Sequence, residues 1–127
     1  MKIVLHGPAA AVYEAGLRTA LGDDAEVQVL PGKLESEQDR SIYTAADCIV
    51  GTAFSARFPR PSALRLFQVT GAGLDQVELE AVPATAIVCN CYEHENAIAE
   101  YVIAALLQHE VPLIDADRRL RKGEWPY

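Results

Sequence analysis

Apolar residues gather in short β-rich runs that recur roughly every twenty residues, with helical stretches between them. Lys2–Leu5, Glu26–Leu30, Cys48–Gly51, Leu66–Thr70 and Ala86–Asn90 read as five strands. Ile49-Val50 and Ile87-Val88-Cys89 are apolar without alternation, the pattern of strands covered on both faces. Ala9 to Leu21 predicts a helix whose Tyr13, Leu17, Ala20 and Leu21 form one stripe, with Gly22 as its stop. Ser36 to Ala46 predicts a second, more polar helix. Pro59 to Leu64 reads as a loop with at most one helical turn, and Asp75 to Val82 as a short helix ending near Pro83. Strands alternating with helices predict an α/β fold, a five-stranded parallel sheet with order 2-1-3-4-5 as the simplest fit.

The last quarter does not belong to such a unit. From about Glu95 the chain reads as helix to Lys122, with Ile98, Val102, Ala105 and Leu106 facing a core. That is roughly 40 Å of helix, against a diameter of roughly 35 Å for a compact domain of this size. Pro112 lacks an amide donor and should kink or break the helix, leaving Leu113, Ile114, Ala116 and Leu120 beyond. The run Gly123-Glu124-Trp125-Pro126-Tyr127 reads as a linker cut short. The expected organisation is a domain over 1–93 followed by a helix and linker over 94–127.

At 127 residues, 50% hydrophobic and 23% charged, the chain suits one globular domain and excludes disorder or a coiled-coil rod. Eleven basic against eighteen acidic residues give a net charge of −7, which argues against nucleic acid and anionic membranes as partners. Arg118, Arg119, Arg121 and Lys122 are the local exception and read as a helix C-terminus favoured by the dipole. The apolar stretch Tyr101–Gln108 is far short of the ~20 residues a bilayer requires. The start, Met-Lys-Ile-Val-Leu-His-Gly-Pro, is no signal peptide. A soluble, cytoplasmic protein is expected. Three cysteines make no disulfide framework; Cys89 and Cys91 lack redox or zinc spacing, and buried thiols with no metal site are expected.

The most conspicuous chemical signal is Thr70-Gly71-Ala72-Gly73-Leu74-Asp75-Gln76, directly after the fourth strand. It opens like the dinucleotide fingerprint GxGxxG, with Glu93 about twenty residues on. The third glycine is replaced by Gln76, however, the strand is not the opening one, and only one strand follows. Two glycines at the carboxyl end of a parallel strand can instead leave backbone amides bare for a small anion such as a carboxylate. An ordinary tight strand-to-helix turn accounts for them too. The loops His6-Gly7-Pro8, Thr52-Ala53-Phe54 and Asn90 to Asn96 should open on the same rim. His6 offers a base but has no partner in sequence and reads as a surface histidine. Asn96 reads as helix cap or ligand contact, and His109 lies in mid-helix on a solvated or interdomain face.

A phospho-acceptor receiver needs acidic residues after strand one and an Asp ending strand three, and both are missing. The hydroxyl-rich phosphate loop of a flavodoxin, the G-x-S-x-G elbow and the P-loop are missing as well. What remains is a resemblance. Leu66-Phe67-Gln68-Val69-Thr70-Gly71-Ala72-Gly73-Leu74-Asp75, then Ile87-Val88-Cys89-Asn90, Asn96-Ala97-Ile98-Ala99-Glu100 and Arg121-Lys122-Gly123-Glu124-Trp125 resemble, in order and spacing, the D-isomer-specific 2-hydroxyacid dehydrogenases. The likeness is to that family's N-terminal substrate (catalytic) domain and to the helix leading into its NAD-binding domain.

The resemblance implies a flavodoxin-like three-layer sandwich with a long interdomain helix. In that setting the Gly71-Ala72-Gly73 turn holds the substrate carboxylate, chiefly through the amides of Ala72 and Gly73. Thr52 and Phe54 line the cleft and select the substrate side chain. The family's asparagine at the start of the long helix falls on His94, with Asn96 two residues late. The catalytic Arg, Glu and His and the Rossmann glycines have no counterpart in this sequence, so no catalytic or cofactor-binding residue is assigned. NAD or NADP belongs to the full-length enzyme and none to this chain alone. The expected partners are a small 2-hydroxy or 2-oxo acid, an absent Rossmann domain and a second copy through the last helix. The alternative is a free-standing flavodoxin-like module that binds a small anion or dimerises.

Overall fold

The computed structural model describes residues 1–125; Pro126 and Tyr127, the end of the expected linker, lie outside the described residues. The chain divides into two units, Met1–Tyr92 and Glu93–Tyr127.

The first unit carries five strands: β1 (Lys2–His6), β2 (Glu26–Leu30), β3 (Cys48–Gly51), β4 (Leu66–Val69) and β5 (Ile87–Cys89). All pair in parallel in the order β2-β1-β3-β4-β5, the doubly wound flavodoxin-like arrangement. In register, His6 stands beside Leu30 and Gly51, and Gly51 beside Val69. The carboxyl ends of neighbouring strands therefore reach one rim.

The alternation of a strand sends odd and even residues to opposite faces. Ile3, Leu5, Val27 and Cys48 meet Ala10 of α1 (Pro8–Ala11) and Leu17 and Leu21 of α2 (Glu14–Leu21). Val4, Ile49, Phe67 and Val69 meet Tyr43 of α3 (Glu37–Thr44), together with Leu64, Phe54 and Val77 from the loops. Helices thus lie on both sides of the sheet. The first face is well covered over β1 but thin toward β5, where Ile87 is 66% exposed.

The expected helix over Ala9–Leu21 is two helices. At Tyr13 the ladder tightens, its amide bonding the Ala10 carbonyl three residues back, and α2 starts afresh from there. Gly22 ends α2 at a φ of 53°, open to glycine at little cost. Ser36 caps α3 by accepting from the Asp39 amide at 3.0 Å. The short helix expected over Asp75–Val82 shrinks to a 3-10 turn at Leu79–Ala81. Val77 is drawn into a parallel bridge with Phe54, and that extended pairing cannot coexist with a helix.

In the second unit, α4 (Glu95–Glu110) and α5 (Leu113–Arg121) meet at Pro112 with a bend of 51°. The residue before α4 is His94, without a side-chain cap, so Asn96 lies inside the first turn and is not the cap. The expected core stripe is not buried: Ile98, Val102 and Leu106 are each about half exposed or more. The basic end of α5 pairs within its own helix, Arg118 and Arg119 with Asp115 and Arg121 with Asp117. Among the described residues, no single helix is long and apolar enough to cross a membrane.

Candidate functional site

The segment after β4 is an open turn. The Thr70 amide still belongs to the sheet, donating to the Gly51 carbonyl at 3.1 Å. The amides of Gly71, Ala72, Gly73 and Leu74 then find no main-chain acceptor among the described residues. Neither glycine has a positive φ, so the backbone path does not itself require glycine there. A Cβ on Gly71 would meet nothing within 4 Å. What Gly71 supplies is uncovered space beside free donors, the condition for close approach by a small anion.

The end of β5 keeps the turn in that orientation. Asn90 Nδ2 donates to the Ala72 carbonyl at 2.9 Å, and the Cys91 amide donates to the Gly71 carbonyl at 3.0 Å. The Gly71 and Ala72 carbonyls are occupied and the amides are left over. Asp75 is the one acidic intruder, its Oδ1 only 2.5 Å from where a Cβ on Gly73 would stand. That side chain is exposed.

The loop after β3 joins the same rim. Thr52 is exposed, but Phe54 is not: it is 2% exposed and packs edge-on against Phe67, their centroids 5.1 Å apart. Phe54 is a core residue here, and the expectation that it lines the cleft is corrected, since the Val77 bridge turns its ring inward. His94 lies in the second unit at the start of α4, exposed. Thr52 and the Gly71–Gly73 turn thus follow the adjacent strands β3 and β4 within the first unit, and His94 belongs to the second.

His6 is not at the surface. At 5% exposure it sits edge-on between Tyr43 and Phe58, centroids 5.2 and 4.8 Å away. Among the described residues, its Nε2 and the Tyr43 hydroxyl both lack a partner. Burial lowers the imidazole pKa, offset in part by the Gly32 backbone, and holds the ring neutral at pH 7. The thiols divide three ways: Cys48 is buried, Cys89 half-buried and Cys91 exposed, so the expectation of buried thiols fails at Cys91.

The dinucleotide reading of Gly71–Gln76 does not fit. Asp75 and Gln76 form a turn, and only a 3-10 turn follows, so no helix N-terminus faces the place a pyrophosphate would take. Two residues missed from sequence shape the rim. Asn90 stood in a rim loop without a role, and Glu78 gave no local signal.

No protein-family model matches the sequence, and no curated protein does. Solved structures do match in fold. The pyruvate reductase of Chlamydomonas reinhardtii superposes with a TM-score of 0.64 at 19% identity, over 100% of this chain and 40% of that one. The NAD-dependent formate dehydrogenase of Staphylococcus aureus, solved with NAD, gives 0.63 at 24% identity over 98% and 43%. A Salmonella D-lactate dehydrogenase gives 0.58 at 16% identity over 100% and 41%. The chain thus spans about two fifths of the length of these structures, and what it shares with this set of NAD-dependent and related oxidoreductases is their fold.

Proposed function

We propose that this chain is the substrate-binding portion of an NAD(P)-dependent oxidoreductase acting on the CH–OH group of D-2-hydroxy acids, in the direction of 2-oxo acid reduction or its reverse. The observation that carries this is the turn at Gly71–Gly73, with free amides, open space at Gly71 and the Ala72 carbonyl held aside by Asn90. Peptide N–H groups converging at the carboxyl end of a parallel strand suit a carboxylate. The fold shared with a pyruvate reductase and a D-lactate dehydrogenase supports a 2-oxo or 2-hydroxy acid as its bearer. In this reading Thr52 faces the substrate's other substituents. Hydride transfer needs a nicotinamide and an acid/base group beside the substrate carbon. The reading assigns both to a Rossmann domain outside this sequence, so the chain alone is expected to turn nothing over.

The test is an amide-resolved NMR titration with glyoxylate, using glycolaldehyde, which has no carboxylate, as control. Shifts at Ala72 and Gly73 with glyoxylate only are expected. Equal responses to the two, or none at that turn, overturn the reading.

A second reading, self-association, is favoured by the apolar surface of the second unit, where Tyr101, Leu107, Leu113 and Ile114 are each more than half exposed. Sedimentation that stays monomeric at high concentration removes it.

A further inference from the structure

We infer that Glu78 is a positioning residue that locks the Thr52 loop to the glycine turn, so that carboxylate capture and side-chain selection share one rigid frame. The inference rests on the carboxylate reading of that turn.

Glu78 lies just past the turn, and its carboxylate reaches the loop after β3 with both oxygens. Oε1 accepts from the Ser55 hydroxyl at 3.0 Å and Oε2 from the Ala56 amide at 2.9 Å. Backbone bonds run alongside: the Phe54 amide donates to the Gln76 carbonyl at 3.2 Å, and the Glu78 amide to the Phe54 carbonyl at 2.8 Å. Ser55 is itself the pivot of its loop, its hydroxyl oxygen accepting from the Arg57 amide at 3.2 Å and its carbonyl from the Phe58 amide at 3.0 Å. One carboxylate thereby fixes the loop that begins at Thr52 relative to the segment that begins at Gly71.

These contacts also maintain the clasp. The Ala56 amide first, then the Ser55 hydroxyl, with a smaller part from the Arg57 charge, hold the Glu78 carboxyl below the usual carboxylate range. It stays ionised, and an ionised carboxylate is the stronger acceptor. Glu78 itself is exposed. A solvent-facing acid that spends both oxygens on one loop is placed to order that loop.

The experiment compares the full chain with Glu78→Ala and Glu78→Gln. Amide hydrogen exchange without ligand is the first arm. Glu78→Ala should speed exchange at Ala56 and Phe54 about tenfold, and Glu78→Gln, which keeps an acceptor oxygen, should restore most of the protection. Binding is the second arm, with glyoxylate, which has no side chain, and 2-oxoisovalerate, which has a branched one. Glu78→Ala should change the ratio of their dissociation constants about fivefold while moving glyoxylate less than twofold. Unchanged protection, or equal loss of both acids, overturns the inference. A wild-type chain that binds neither acid defeats the carboxylate reading instead, and the exchange arm then decides the role of Glu78 alone.

Discussion

Asn90 reaches from the end of β5 to donate its side-chain amide to the Ala72 carbonyl at 2.9 Å, in a bend whose own amides find no main-chain acceptor among the described residues. Asn90→Ala should lower stability by about 1 kcal/mol, the usual loss for one part-buried hydrogen bond. It should also weaken glyoxylate binding, because the freed carbonyl can rotate toward the anion. Urea midpoints and an NMR titration read the two effects. Lost stability with unchanged affinity would show that the tether does not orient the site.

Gly73 has no positive φ, so a side chain there is compatible with the backbone. A Cβ would meet only the exposed Asp75 carboxylate, the end of a side chain that can rotate away. Gly73→Val should therefore leave the fold intact and block approach to the neighbouring amides, and Asp75→Asn should tighten carboxylate binding by removing a like charge. Calorimetric titration checks both; unchanged affinity in Gly73→Val would remove this turn from the site.

His6 gives the fold a pH dependence of predictable sign. Unfolded, its imidazole ionises near 6.5; folded, burial holds its pKa lower. Between those values the unfolded chain binds more protons, so stability rises with pH. The contribution is complete above about pH 6.5 and is lost as pH falls from there through the folded value. Urea midpoints between about pH 8 and about pH 5 should fall in the wild type and flatten in His6→Phe. An equal slope in the variant would assign the dependence elsewhere.

Tyr43 is fully buried, and its hydroxyl finds no partner among the described residues. Removing an unsatisfied buried hydroxyl relieves a desolvation cost, so Tyr43→Phe should be neutral or stabilising by about 1 kcal/mol. A marked fall in the urea midpoint would reveal a partner for that oxygen.

The thiols should separate by access. Iodoacetamide should modify exposed Cys91 first, while buried Cys48, whose pKa is raised by burial and by the Asp47 charge, should react only on unfolding. Mass spectrometry of the partly alkylated chain reads the order directly.

How far the sequence carried depends on the range of each cause. β2 and β3 match their expected limits because local runs bounded by turn residues define them. The break at Pro112 was equally legible, since a missing amide acts within one turn. The burial of His6 was not, because it depends on Tyr43 and Phe58, brought to it by other elements. Val77 left its expected helix for a strand-like bridge to Phe54, a pairing across the chain that no local pattern announces. Ser55 and Glu78 meet 23 residues apart for the same reason. The glycine turn was visible as a motif, but the arrangement that gives it meaning, carbonyls taken and amides bare, is tertiary.

The donors at the bend after β4 belong to the main chain, and of the twenty residue types only proline lacks that hydrogen. The grip proposed for them would be a property of the route the backbone follows, not of particular letters in the sequence. It can outlast extensive sequence drift that would erase an arginine or lysine anchor, and, having no ionisable proton, it is indifferent to the acidity of its surroundings.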